Sequence, residues 1–259
     1  MSNNYHGFAN EKTLAKYLNN KNFESLNDNM KNFISFVFSR QIANNEVILS
    51  DTTKKIGMKN PKPDIWVKIG AETKNISVKN GSGNSVHQEP LDEFCSFLKQ
   101  IQATDDTINK LRLYHYGDGT YDGSGETRLS TPKVKVKYST EITSVNTELN
   151  QPNFLAKIFD RILFSGSFEK PIVVDAVYHG SLDSGCFANR EEILNYLISN
   201  TNPCEMKSIK FSQLTYQPWS RDPLKKAKYP NRRYVMQVKW GTIVSCIEEI
   251  AKGRKTNGN

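Results

Sequence analysis

Lys62-Pro63-Asp64-Ile65-Trp66-Val67-Lys68-Ile69-Gly70, followed by Lys74-Asn75-Ile76-Ser77-Val78-Lys79, is the stretch on which the reading of this chain turns. Its two short runs are rich in β-branched residues and are divided by Gly70-Ala71-Glu72-Thr73, a pattern that predicts paired strands. In a hairpin the end of the second strand returns to the start of the first. Asp64 and Lys79 are therefore expected to converge at one edge of the sheet.

Working outward, Val47-Ile48-Leu49 adds a third strand to this meander. Upstream, Leu14 and Leu18, then Met30, Phe33, Ile34, Val37, Phe38 and Ile42, repeat at helical steps. Downstream, Asn80-Gly81-Ser82-Gly83-Asn84 reads as a turn, and Pro90 suits the first position of a helix carrying Leu91, Phe94, Leu98 and Ile101. A helix follows at Leu155, Ile158, Phe159, Ile162 and Leu163, and Ile172 to Tyr178 reads as a buried strand. Asn189 with Glu192 forms a capping box, Tyr234 to Trp240 alternates as a strand, and Ile243, Ile247 and Ile250 predict a closing helix ahead of Gly253. No repeat or linker divides the chain, so the expectation is one α/β domain over residues 1–259, a central mixed sheet flanked by helices.

The chain of 259 residues is 37% hydrophobic, 24% charged and 10% aromatic, which excludes a disordered or fibrous protein. No run approaches the roughly 18 apolar residues of a membrane helix, and Met1-Ser2-Asn3-Asn4-Tyr5-His6-Gly7 has no basic-then-apolar pattern. A cytoplasmic protein with no membrane partner is expected. Cys95, Cys186, Cys204 and Cys246 lie far apart, and none pairs with a histidine at zinc-ligand spacing, so they read as reduced thiols. The glycine-rich stretch Tyr116 to Gly125 resembles a calcium loop at Asp118, Asp122 and Gly123, but Leu129 stands where a bidentate glutamate is required; it reads as a long surface loop. Walker-type, dinucleotide and G-x-S-x-G patterns are absent.

The net charge of +8 is concentrated: residues 206–259 hold 12 basic and 3 acidic residues, while the rest of the chain is near balance. A basic block of this kind implies a surface facing a polyanion, nucleic acid before membrane. Lys225, Lys226, Lys228, Arg232 and Arg233, interleaved with Trp219, Tyr229 and Tyr234, read as a DNA-binding arm within that region. Ser82, Asn84, His87 and Gln88, directly after Lys79, supply further groups suited to phosphate or base-edge contacts.

A carboxylate, a lysine and a nearby acid suit phosphodiester hydrolysis. Mg²⁺ neutralises charge growing on the phosphoryl oxygens and acidifies a water, while the lysine orients or helps deprotonate that water. Here Pro63-Asp64, a gap of twelve residues and Ser77-Val78-Lys79 resemble the PD-(D/E)xK nuclease superfamily and, within it, the type II restriction endonucleases. The resemblance spans roughly Pro61 to Phe94. Ser77 departs from it, standing where the family usually has Asp or Glu.

The resemblance implies a restriction-endonuclease-like fold and cleavage of double-stranded DNA with Mg²⁺. The metal would be held by Asp64, the Val78 carbonyl and a replacement carboxylate. Glu89 leads Glu93 for that place, both read as lying on one face of the following helix. Lys79 would position the water, Ser77 would hydrogen-bond within the site, and Glu11 looks like the acid that family members carry on their first helix. Each glutamate also has an ordinary explanation, because carboxylates near a helix start gain from the helix dipole. A palindromic target would imply a homodimer, with monomeric action open as well. The alternatives are a DNA-binding protein on a decayed nuclease fold and a nonspecific repair or phage nuclease.

Overall fold

The computed structural model describes residues 3–53, 61–81, 85–125, 128–167, 171–203, 206–219 and 230–257. In chain order its elements are α1 (Asn3–Leu18), β1 (Lys21–Asn22), α2 (Asp28–Phe38), β2 (Val47–Thr52), β3 (Ile65–Ile69), β4 (Glu72–Lys79), β5 (Ser85–Pro90), α3 (Leu91–Gln100), α4 (Asp105–Tyr116), α5 (Thr131–Lys137), α6 (Ser139–Leu149), α7 (Pro152–Phe159), β6 (Ala176–Gly180), β7 (Gly185–Asn189), α8 (Arg190–Ser199), β8 (Lys210–Phe211), β9 (Leu214–Pro218), β10 (Val235–Lys239) and α9 (Ile243–Asn257). They fall into two compact units: Met1–Asn84 with Leu163–Tyr196 and Thr242–Asn259, and Ser85–Ile162 with Leu197–Gly241. The sequence shows no boundary because both units are built from separated segments. The basic region 206–259 is itself split between them: among its described residues Lys207, Lys210, Arg232, Arg233 and Lys239 fall in the second unit.

The first unit holds a six-stranded sheet in the order β1-β2-β3-β4-β6-β7. Only β4 and β6 run parallel, so the sheet is mixed. Strands of this kind bury alternate residues, and Ile65, Val67 and Ile69 point to one face with Ile76 and Tyr178. That face packs on Leu14 and Leu18 of α1 and on Met30, Phe33 and Ile34 of α2. Asn27 caps α2 by accepting from the Met30 N–H at 2.9 Å. The capping box of α8 closes reciprocally, Glu192 N–H to Asn189 Oδ1 and Asn189 N–H to Glu192 Oε2, both at 2.9 Å. Helix α9 runs past Gly253, and Arg254 lies 4.1 Å from the centre of the Phe36 ring and pairs with Glu192 at 2.6 Å.

The second unit holds a four-stranded antiparallel sheet, β5-β10-β9-β8. Phe94 and Phe211 pack around Tyr216. The residues expected as a loop leading into a helix are strand β5, and Pro90 ends it rather than opening α3 as a helical residue. The physical reason is that β5 turns His87 and Glu89 inward, both buried, so its alternation is not one of hydrophobicity. Strand β6 likewise starts at Ala176, later than the apolar run suggested.

Candidate active site

Gly70, with φ of 59°, supplies the left-handed residue that a two-residue hairpin turn needs, and the register Ile69↔Glu72, Ile65↔Ile76 follows from it. Asp64 stands one residue before β3 and donates its backbone N–H to the Ile76 carbonyl at 2.9 Å. Ser77 and Lys79 lie on the face opposite Ile76 and Val78, the same face as Asp64. Three donors then meet Asp64 Oδ2: the Val78 N–H at 2.7 Å, Lys79 Nζ at 3.0 Å and Ser77 Oγ at 3.1 Å. Lys79 Nζ also donates to the Val78 carbonyl at 3.2 Å. The Asp64 and Lys79 side chains are 18% and 23% exposed, so the pair is largely buried and still open to solvent.

Other residues hold this corner. Thr53 is fully buried at the end of β2; its N–H and hydroxyl donate to the Asp64 carbonyl at 3.1 and 3.2 Å, and its hydroxyl also donates to the Pro63 carbonyl. On the other side, the parallel register places His179 of β6 beside Lys79, on the same face, with its Nε2 3.2 Å from the Gly81 carbonyl. One residue further, the Gly180 carbonyl accepts from the Asn10 side chain at 2.9 Å, which brings this part of α1 to the strand end that carries Lys79. Glu11, the next residue, is half-buried.

Glu89 has a different environment. In β5 its carboxylate is 2% exposed, and both oxygens are engaged: Arg161 donates through Nε at 3.0 Å to Oε1 and through Nη2 at 2.5 Å to Oε2, while His87 Nε2 lies 2.9 Å from Oε1. Burial alone would raise the Glu89 pKa, but hydrogen bonds from His87 and Arg161 outweigh it and hold the carboxyl below its ordinary range. Glu89 and Glu93 do not share a helix face, since Glu89 belongs to a strand and only Glu93, exposed on the first turn of α3, belongs to the helix. Among the described residues, no group of three or more His, Cys, Asp or Glu is arranged around a common metal position.

The expected DNA contacts are divided as well. Gln88 is exposed, whereas His87 is buried against Glu89, which does not fit a nucleic-acid contact. Arg232 stacks 4.3 Å from the centre of the Trp219 ring, itself 37% exposed. Arg233, at 3% exposure, turns inward instead, pairing with the buried Asp118 and donating to the Gly125 carbonyl at 3.0 Å. It therefore anchors the glycine-rich loop and presents no free guanidinium to a phosphate. Ser82, Asn84, Lys225, Lys226 and Lys228 lie outside the described residues.

No family model matches this sequence, and no curated protein matches it. The fold has a match. The crystal structure of the restriction endonuclease MspI in complex with its cognate DNA aligns over 91% of this chain and 86% of that one, with a TM-score of 0.55 and 12% identity. The chain has a restriction-endonuclease-like fold: a mixed α/β architecture with a six-stranded mixed sheet flanked by helices. Among the described residues, no helix is long and apolar enough to cross a membrane.

Thr53 and Arg161 carry no signal in the sequence, and Asp118 is legible there only as part of a surface loop, without its partner Arg233. Thr53 sits in no motif. The partners of Arg161 and Asp118 are 72 and 115 residues away, which no local spacing reveals.

Proposed function

We propose that this protein is a Mg²⁺-dependent, sequence-specific endonuclease for double-stranded DNA, with the chemistry of a type II restriction endonuclease. The observation that carries the reading is the convergence of Asp64, the Val78 backbone and Lys79 at one end of the β3–β4 hairpin, within a restriction-endonuclease-like fold.

The donor set fits the metal. The Lys79 ammonium lies within hydrogen-bond distance of both Asp64 Oδ2 and the Val78 carbonyl, so these two hard oxygens already face one cationic centre. Mg²⁺ takes such oxygens, commonly one or two carboxylates completed by substrate phosphate and water. When bound, it supplies charge neutralisation at the phosphoryl oxygens and acidifies a water. Asp64 and the Val78 carbonyl would hold it, Ser77 fixes the Asp64 rotamer, and Lys79 orients or helps deprotonate the attacking water. Glu11 is the proposed second acid because its neighbour Asn10 is tied to the same strand end. Glu93 stays a candidate through its exposure, and Glu89 ranks behind both because Arg161 pairs with it and His87 contacts one of its oxygens.

A second reading, a DNA-binding protein on a decayed nuclease fold, is favoured by Ser77 and by the missing three-ligand cluster among the described residues. The experiment that separates the readings is incubation with long duplex DNA in Mg²⁺ and, in parallel, in EDTA, with sequencing of any ends. Discrete ends sharing one short sequence in Mg²⁺ alone support the restriction enzyme. A smear supports a nonspecific nuclease, and retarded but intact DNA supports the binding protein. The molecular mass of the protein–DNA complex in sedimentation tells a homodimer from a monomer on that site.

A further inference from the structure

Helix α5, Thr131-Pro132-Lys133-Val134-Lys135-Val136-Lys137, is not part of the catalytic corner or of the arm expected to bind DNA. Its inner side is fixed. Val134 is buried, and it packs so close to Gly117 that a Cβ there would stand 2.7 Å from Val134 Cγ2, a second reason beside its φ of 60° why this position is glycine. The Leu129 N–H donates to the Gly117 carbonyl at 2.8 Å, and the next residue, Asp118, is the partner of buried Arg233. One glycine-rich loop therefore anchors both α5 and the turn that carries Arg232.

The outer side is unusual. Lys133, Val136 and Lys137, at steps of three and four, share one helix face. Val136 is 78% exposed beside the two lysines, above a shallow cavity of about 380 Å³ lined by these three residues with Leu129 and Pro132. No acidic residue occurs between Glu126 and Glu141, and four basic ones do. An exposed branched apolar group beside two lysines, Lys137 reaching over the Tyr138 ring at 5.3 Å from its centre, presents no acidic group to a cationic partner. It complements a polyanion whose charged groups border an apolar strip, as phosphates border deoxyribose along DNA.

We propose that this face of α5 is a further DNA-binding surface, in which Lys133 and Lys137 each take a backbone phosphate and Val136 rests against the sugar between them. The inference rests on the nuclease reading for its polyanion. It assigns α5 a role in affinity and positioning, with no readout of base sequence.

The test is duplex binding by the full chain over a series of salt concentrations, without Mg²⁺, for the wild type, the Lys133→Ala/Lys137→Ala double variant, Val136→Ser, and Lys135→Ala on the opposite helix face. The double variant should bind about tenfold or more weakly on every sequence, and its slope of log Kd against log salt should fall by about 1.8, roughly 0.9 for each phosphate that is no longer neutralised. Val136→Ser should weaken binding less and leave the slope alone, and Lys135→Ala should match the wild type. A double variant that melts like the wild type and keeps its affinity and slope overturns the inference while leaving the nuclease reading standing. The same holds if it changes only self-association in sedimentation, which would assign the face to a second copy of the chain. A wild type that retards no duplex overturns the nuclease reading and this inference together.

Discussion

Two carboxylates that look equivalent in the sequence are treated in opposite ways by the two units. Asp64, in the first, collects three donors on one oxygen and keeps its side chain 18% exposed beside a lysine. Glu89, in the second, is 2% exposed with both oxygens bound by Arg161 and one of them also facing His87. The first is held in place and can still meet a ligand. The second is buried and paired with Arg161 inside the protein. Proximity to a motif therefore says less about a carboxylate's role than what surrounds its second oxygen.

The strongest way to break this comparison is to remove the exposed pair. Asp64→Asn and Lys79→Ala should each lower single-turnover cleavage by at least about a thousandfold, the scale of losing a directly acting electrostatic group, while gel retardation of duplex DNA persists. Cleavage retained by Lys79→Ala would sink the assignment.

Glu89 should answer to stability instead. Glu89→Gln strands a partly buried guanidinium and should cost on the order of 3–5 kcal/mol in chemical denaturation. Joint replacement, Glu89→Leu with Arg161→Met, should restore most of that loss, because a packed apolar pair can stand in for a buried ion pair. If the double variant folds well yet no longer cleaves DNA, Glu89 belongs to the active site after all and the comparison fails.

Acidity sharpens the contrast. In the second unit His115 is wholly buried; its Nε2–H donates to the Arg233 carbonyl at 2.8 Å and its Nδ1 accepts from the Tyr216 hydroxyl at 2.7 Å. Burial pushes this histidine down to about 4, against the weaker pull of the Arg233 carbonyl. An unfolded chain takes up that proton near pH 6.5, so the stability His115 contributes is complete above that pH and is lost as pH falls toward 4, by about 3 kcal/mol. Glu89, also held below its ordinary range, loses its contribution further down, as pH falls through its folded pKa. Urea unfolding at pH 7.5, 5.5 and 4.5 should show the decline, and His115→Gln should flatten its upper part. An unchanged slope in that variant would remove His115 as its source.

The smallest effect concerns His179. It stands beside Lys79 in register and contacts the carbonyl of Gly81, so His179→Ala should loosen the end of β4 and slow cleavage by about tenfold, the worth of one hydrogen bond near 1.4 kcal/mol. His179→Asn, which keeps a donor, should recover part of the rate. Equal losses in both variants would point to the ring itself rather than to the hydrogen bond.

Much of the first unit was legible from residues alone. The period-two runs around Gly70 specify a hairpin, and a hairpin of that register must bring Asp64 to Lys79, since antiparallel pairing is geometric. The capping box at Asn189 and the apolar spacing of α2 and α9 were readable for the same reason: their signals lie within a few residues of one another. The second unit was less legible. Strand β5 buries a histidine and a glutamate where a strand normally buries apolar groups, so its alternation carries no hydrophobic signal and nothing local marks Glu89 as a strand residue.

The sequence by itself determined the meeting of Asp64 and Lys79, the concentration of positive charge and the class of fold, because each depends on local pattern or on composition. Only the tertiary structure decided which charges are available. Arg161 reaches Glu89 across 72 residues and Arg233 reaches Asp118 across 115, and whether a carboxylate or a guanidinium faces a ligand or its own protein is settled by such distant partners and by the loss of water around them.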